Sequence, residues 1–374
     1  MLRLALAATA LLFASPSLLC GQTASPALTW SELPPLPDTV GLAGAFVGVS
    51  NGALLVAGGA NFPDGRPWGG AKKVWHDEIY VLTDPRGKWS VAGTRLPRPL
   101  GYGISADTAQ GVLCIGGSDV DRHYADCFLL TWTGNDVRIS PVASLPKPLA
   151  NGCGTRAGHA VYVAGGTDTP AATVCSPACY SLDLTPESPA AWQWTRRPTW
   201  PGLERMLAVA GSVGTDFYLI GGLRLKPGPE GPSERIKPFL RDAYRYSPGD
   251  NGQDGVWRRL ADLPAPRAAG PSPALEIRPH QLALFGGDDG SRGVELRDQH
   301  PGFPPDIFVY HADADEWTRT GSLPAKIVGN PVTDPAASVW APVTTGVARW
   351  NGRIVIPTGE ARPGVRTPRV LATP

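Results

Sequence analysis

Near its end the chain reads Thr358-Gly359-Glu360-Ala361-Arg362-Pro363-Gly364-Val365-Arg366-Thr367, which sets one carboxylate close to two guanidinium groups. A carboxylate beside a cation can take up and return a proton, and the arginine fork matches the geometry of a carboxylate or another anion. Glu360 and Arg366 are therefore the candidate catalytic pair, with Glu360 moving the proton and Arg366 steering or holding an anionic group. Arg362 is a candidate substrate contact. The same residues also suit a structural ion pair, and their identities alone leave both uses open. Other chemistries find less support. His76, His123, His159, His280, His300 and His311 share no spacing that assembles a metal centre, and Cys175-x-x-x-Cys179 has no second ligand pair beside it. No Gly-x-Ser-x-Gly nucleophile elbow occurs. Neither a metal nor a cofactor is expected.

Whatever positions these residues must be a repeat. Five apolar runs end in paired glycines, at Gly58-Gly59, Gly116-Gly117, Gly165-Gly166, Gly221-Gly222 and Gly286-Gly287, and a degenerate sixth ends at Thr358-Gly359. Their spacing lies near the kelch period of about 50 residues, lengthened by insertions. Each unit continues into a second apolar strand, such as 79–82 or 306–310, then a strand bearing Trp89, Trp132, Trp194, Trp257 or Trp317, and then a Leu-Pro turn. The ends complete each other: Trp30-Ser31-Glu32-Leu33-Pro34 is a Trp strand with no glycine pair before it, and the last unit has Arg369-Val370-Leu371 but no Trp strand after it. An all-β, six-bladed kelch-type β-propeller is expected, its last blade closed by strands from both termini so that no long edge stays unpaired. The 45 Gly and 40 Pro, spread between apolar runs that carry 12 Trp, agree with turn-rich β structure and not with disorder.

In such a ring the first residue after each glycine pair faces one mouth of the central channel. Those residues are Ala60, Ser118, Thr167, Leu223, Asp288 and Glu360. The loops from Gly59 to Asp77, Gly222 to Asp242 and Gly287 to Asp306 are about twice as long as that from Gly117 to Asp126, and suggest a wall or lid over this mouth. Aligning the inner strands adds Asn151, Arg205 and Arg267 as channel-mouth substrate contacts, and the first long loop adds Lys72 and Lys73. Several cations converging on one pore would make an anion site.

Composition excludes other partners. With 34 basic and 33 acidic residues the net charge is +1, so neither nucleic acid nor an anionic membrane is an expected partner. Arg3 followed by an apolar stretch to Leu19 reads as a secretion signal over residues 1–22, leaving a propeller of residues 23–374 in a periplasmic or extracellular space. Leu19 before Cys20 is bulky for a lipid-attachment site. No later run of 18 apolar residues predicts a membrane span. Beyond Cys20 the cysteines are 114, 127, 153, 175 and 179, an odd number, and an oxidising compartment favours disulfides between neighbouring strands, Cys114 to Cys127 being the nearest candidate pair.

Two stretches, 41–51 running through Gly58-Gly59-Ala60-Asn61-Phe62 to Gly70-Ala71-Lys72-Lys73, and Gly359-Glu360-Ala361-Arg362-Pro363-Gly364-Val365-Arg366-Thr367, carry a likeness. By them the chain resembles the N-acetylneuraminate epimerases, or sialic acid mutarotases, and looks closest to a cyclically permuted branch in which the second stretch has moved to the opposite end. The resemblance implies interconversion of the α and β anomers of N-acetylneuraminate, an anionic sugar, without a cofactor, with Glu360 and Arg366 matching the residues proposed as catalytic. A homodimer is compatible with it. The competing expectation is a non-catalytic kelch propeller that binds a glycan or a protein across its rim. A copper radical oxidase would need a His pair and a partnered Tyr and Cys, and a sialidase would need repeated Ser-x-Asp-x-Gly-x-x-Trp boxes. None of these is found.

Overall fold

The computed structural model describes residues 28–374 apart from 230, 232, 250–252 and 329–337. The expected secretion signal, with Cys20, lies outside the described residues. Among them no helix is long and apolar enough to cross a membrane.

Six four-stranded antiparallel sheets surround one axis. From the axis outward, blade one is Phe46–Ser50, Ala53–Ala57, Ile79–Leu82 and Ser90–Val91, and blade two is Ile104–Thr108, Gly111–Ile115, Cys127–Trp132 and Val137–Val142. Blade three is Cys153–Ala157, Ala160–Ala164, Cys179–Asp183 and Trp194–Arg197, and blade four is Val209–Val213, Asp216–Ile220, Ala243–Ser247 and Val256–Arg259. Blade five is Leu275–Arg278, Gln281–Phe285, Asp306–His311 and Glu316–Ser322. Blade six runs Ala348–Trp350, Arg353–Pro357, Val370–Ala372 and then Ser31–Leu33, so its outermost strand comes from the start of the chain. The register of this clasp pairs Ser31 with Ala372 and Leu33 with Val370, and Arg369 adds an ion pair to Glu32 at 2.9 Å.

The apolar runs become second strands because both faces of each sheet are covered. Ala53–Ala57 and Gly111–Ile115 are buried throughout, as strands packed on two sides must be. The core lies between blades: Phe46, Leu55 and Val81 of blade one meet Cys114, Phe128 and Leu130 of blade two in one cluster. The tryptophans lock neighbouring blades by hydrogen bonds as well as by packing. The indole N–H of Trp89 donates to Pro34 O, that of Trp194 to Ala143 O, that of Trp257 to Pro198 O and that of Trp317 to Ala261 O, in each case on the segment leaving the preceding blade, at 2.7 to 3.0 Å. Trp132 departs from the expected pattern. It ends the third strand of blade two, whose outer strand is Val137–Val142.

The paired glycines are required by close approach. A β-carbon on Gly58 would stand 2.2 Å from Leu100 O, and one on Gly221 would stand 2.2 Å from Arg267 O, both at positive φ. In the sixth repeat Thr358 takes the first glycine's place at φ 53. Its hydroxyl accepts the Leu42 N–H at 2.7 Å and lies 2.9 Å from Thr367 O, which offsets the strain.

A second closure runs around the axis. Gly44, Tyr102, Asn151, Leu207, Ala269 and Thr344 all have positive φ, and each N–H donates to the carbonyl of the preceding member at 2.7 to 2.8 Å. Gly44 N–H donates to Thr344 O, so the belt is complete.

The expected disulfides are not formed: Cys114, Cys127, Cys153, Cys175 and Cys179 are all free and buried. Neighbouring strands carry Cys114 and Cys127, but Cys127 pairs with Ile115. One residue of offset sends the two thiols to opposite faces, and they belong to different core clusters. Cys153 and Cys179 share a cluster but are separated by the strand Ala160–Ala164. Burial pushes the thiols up, Cys153 and Cys127 to about 12. A thiol reagent at pH 8 is expected to label none of the five in the native protein and all five after denaturation without reductant. Native labelling of any of them would contradict their burial, and fewer than five after unfolding would reveal a bridge.

Candidate active site

A cavity of about 490 Å³ opens at the long-loop mouth of the channel. Its floor includes Leu207, Ala269 and Thr344 of the belt. Its walls come from the loop of blade one (Phe62, Trp68, Lys73), the hairpin Arg224–Pro227 with Ser233–Ile236 of blade four, the loop 288–303 of blade five and the hairpin Glu360–Arg362 with Val365–Arg366 of blade six.

Glu360 and Arg366 face each other across that last hairpin. Arg366 Nη1 donates to Glu360 Oε1 at 2.8 Å, and the Gly364 N–H donates to the same oxygen at 2.8 Å. Glu360 Oε2 accepts no hydrogen bond from any described residue and so is the oxygen available to a ligand. Arg366 is different, because its side chain is 3% exposed, its Nε donates to Ala60 O at 3.2 Å and its guanidinium lies over Phe62. Burial works against its charge, but Glu360 and Tyr102 outweigh this and hold its pKa above the ordinary arginine value. A guanidinium committed in this way orients Glu360. It does not offer a free fork to a substrate.

Of the other expected contacts only Lys73 reaches the cavity, with its Nζ 5.0 to 5.9 Å from the rings of Tyr102, Trp75 and Phe62. Lys72, one residue earlier, is exposed outside it. Arg205 and Arg267 do not face the pore. Arg205 is fully buried and grips both oxygens of Asp242 at 2.8 and 2.9 Å, and Arg267, 2% exposed, reaches Asp306 at 3.2 Å. Both tie the connector entering a blade to that blade's third strand, as Arg98 and Asp126 do in blade two. Asn151 lies lower, on the belt around a narrow axial void of about 80 Å³. Arg362 is also turned away from the cavity. It is 1% exposed, stacks 4.4 Å over Trp340 and donates to Asp298 O at 2.7 Å, and burial and Arg66 pull its pKa down.

Arg362 thereby helps to build the wall. The carboxylate of Asp298 accepts Trp68 Nε1–H at 3.0 Å and lies 3.5 Å from Arg66, so one residue joins loops of blades one, five and six.

The residues the sequence did not single out are the cations across the cavity, Arg235, Lys237 and Arg292. None of them enters an ion pair with another described residue. The signal was the basic character of the long loops, but nothing in their spacing said which cations turn inward. Among the described residues no group of three His, Cys, Asp or Glu comes together as a metal site.

Fold and cavity define a six-bladed β-propeller with an arginine-bound carboxylate and a cationic wall at one channel mouth. Residues 15–139 match the family model for N-acetylneuraminate epimerase, so the likeness read from the motifs is found again over that part of the chain. Proteins named N-acetylneuraminate epimerase are similar to it: that of Yersinia pestis (strain Pestoides F) at 38% identity over 127 residues, 29% of this chain and 32% of the relative, and that of Haemophilus influenzae (strain 86-028NP) at 42% over 111 residues, 26% and 29%. That of Salmonella arizonae is 44% identical over 107 residues, 25% and 27%. The chain thus spans about a third of the length of the curated relatives it matches. The family match includes Lys73 and ends well before Glu360 and Arg366.

Proposed function

We propose that this propeller is a cofactor-independent isomerase that interconverts the α and β anomers of N-acetylneuraminate by acid–base ring opening. The observation that carries this reading is Glu360, bonded through one oxygen to Arg366, on the wall of a cation-lined cavity with its other oxygen unengaged. Ring opening requires the anomeric hydroxyl to lose a proton and the ring oxygen to gain one. Reclosure on the other carbonyl face returns both protons and inverts the anomeric carbon. The names of the relatives support a sialic acid as substrate, and the apolar surfaces of Phe62, Trp68, Phe239 and Phe303 suit the carbon face of a sugar ring. The leader-like first 22 residues support a periplasmic or secreted location.

Because Arg366 is committed to Glu360 and Ala60, the substrate carboxylate falls to Arg235, Lys237 and Arg292. Arg235→Ala and Arg292→Ala are each expected to raise KM about tenfold or more with kcat nearly unchanged, as loss of a charge-assisted bond made equally in ground and transition states would do. A fall in kcat at constant KM would reject this assignment. The reading as a whole is tested by proton NMR of the approach of pure α or β N-acetylneuraminate to equilibrium, with and without the purified protein. Acceleration proportional to protein concentration is expected. If there is none while the sugar still binds, the protein is a glycan-binding propeller.

A further inference from the structure

Blade five sets a second carboxyl group beside the first. Asp288 and Glu360 hold the same place in successive repeats, and each makes the same reciprocal backbone bridge, Asp288 with Ala268 and Glu360 with Val343. The four equivalent positions, bridged in the same way, are Ala60, Ser118, Thr167 and Leu223, so the two carboxyl groups occupy adjacent blades and no others. Both line the 490 Å³ cavity. Each has one oxygen tied down by its own loop, Asp288 Oδ1 accepting the Gly290 N–H at 2.9 Å and Glu360 Oε1 the Gly364 N–H at 2.8 Å. Neither Asp288 Oδ2 nor Glu360 Oε2 accepts a hydrogen bond from a described residue. The difference between them is a direct hydrogen bond from an arginine, which only Glu360 accepts.

Resting on the mutarotase reading above, we propose that Asp288 is a second catalytic residue, the acid that protonates the ring oxygen while Glu360 takes the proton of the anomeric hydroxyl. In the opening step the hydroxyl proton passes to Glu360, and its O–H electron pair becomes the second bond of the carbonyl. The bond from the anomeric carbon to the ring oxygen breaks with its electrons on that oxygen, which takes the proton from Asp288. Rotation presents the other carbonyl face. Closure then runs the same transfers backward, so both residues return to their starting states and no other reactant is needed.

The surroundings of Asp288 favour the protonated form that an acid requires. Burial raises the pKa of Asp288, and neighbouring Asp289 and Glu360 add to the rise against the pull of the Gly290 N–H and of Arg235. The charged and titratable groups around Asp288 are Lys73 of the blade-one loop, Arg235 and Lys237 of blade four, Arg267 of the connector into blade five, Asp289, Arg292, Glu295 and His300 of its own loop, and Glu360 and Arg366 of blade six. A carboxyl whose environment favours its protonated form, set beside a second carboxyl, is one way for a site to hold both an acid and a base.

Asp288→Asn keeps the shape but has no proton to give. It is expected to lower kcat about 10²-fold with little change in KM, and to abolish the fall of kcat at high pH that marks loss of an essential acid. Asp288→Glu is expected to recover most of the rate and the alkaline limb. In the folded wild type the 13C-labelled Asp288 carboxyl is expected to titrate above the ordinary aspartate value of about 3.9, a measurement that stands even if the Asn variant does not fold. The proposal is overturned if Asp288→Asn keeps the wild-type kcat and alkaline limb, or if Asp288 titrates at or below the ordinary value. Those results, obtained with an active wild type, would leave the mutarotase reading standing. An inactive wild type would instead remove that reading itself.

Discussion

Glu360→Gln is expected to slow the proposed anomer exchange by about 10²- to 10⁴-fold, the range that positioned proton transfer contributes. The substitution is nearly isosteric, and an amide oxygen can still accept from the Gly364 N–H and from Arg366, the two donors that fix Oε1. What is lost is the ability to take a proton, so kcat falls while KM moves little. Arg366, almost fully buried, loses its counter-charge at the same time, so the variant should melt somewhat earlier than the wild type while remaining folded at 25 °C. Proton NMR of the exchange, with circular dichroism as a control for folding, checks both parts. A folded Gln variant with wild-type kcat would rule Glu360 out as the proton carrier.

The second large effect concerns stability. Arg205→Ala is expected to cost about 3 to 5 kcal/mol, because it strands a mostly buried carboxylate whose two oxygens had been gripped by the missing side chain. The midpoint of thermal unfolding should fall by on the order of 10 °C. Removing Asp242 as well should recover part of the loss, since no buried carboxylate would then be stranded and only the Tyr244 hydroxyl and the backbone carbonyls that Arg205 had bonded would be left short of a partner. A change under about 1 kcal/mol would mean that the pair is not a clamp. The pH dependence follows from the same geometry. Burial alone would raise the pKa of Asp242, but Arg205 and Tyr244 more than offset it, so the folded value lies below the ordinary one. Its contribution is therefore complete above the ordinary carboxylate pKa of about 3.9 and is lost as pH falls through the lower folded value. Without Arg205 burial is no longer opposed, and acid unfolding of the variant should begin at higher pH than in the wild type.

These residues also mark how far the sequence could be read. The glycine pairs, the tryptophans and the matching ends specified six blades and the shared last sheet, because each answers a local need: a sharp turn, an interblade contact, an unpaired edge. Glu360 and Arg366 were legible for a similar reason, since they share one hairpin and their spacing sets them opposite each other. Arg205 and Arg267 were assigned to the channel because they follow the repeat register, but register gives the position of a backbone and not the direction of a long side chain. Their direction is decided by Asp242 and Asp306, which lie 37 and 39 residues further along. Arg235, Lys237 and Arg292 were hidden for the converse reason. They stand on irregular insertions with no period to align, and only the folded loops bring them to one cavity. Cys114 and Cys127 show how much one position matters in a strand: a shift of a single residue reverses the face.

The belt of six hydrogen bonds at the waist of the channel has a mechanical meaning. A linear stack of repeats has an end unit that touches only one neighbour and can fray, whereas every member of this belt donates to one neighbour and accepts from the other. No blade is a weak outermost one from which unravelling could start, and loosening any blade breaks two links at once. The floor of the cavity, which includes three members of the belt, is therefore stiffened equally from all sides, while the loops above it remain free to differ in length and sequence.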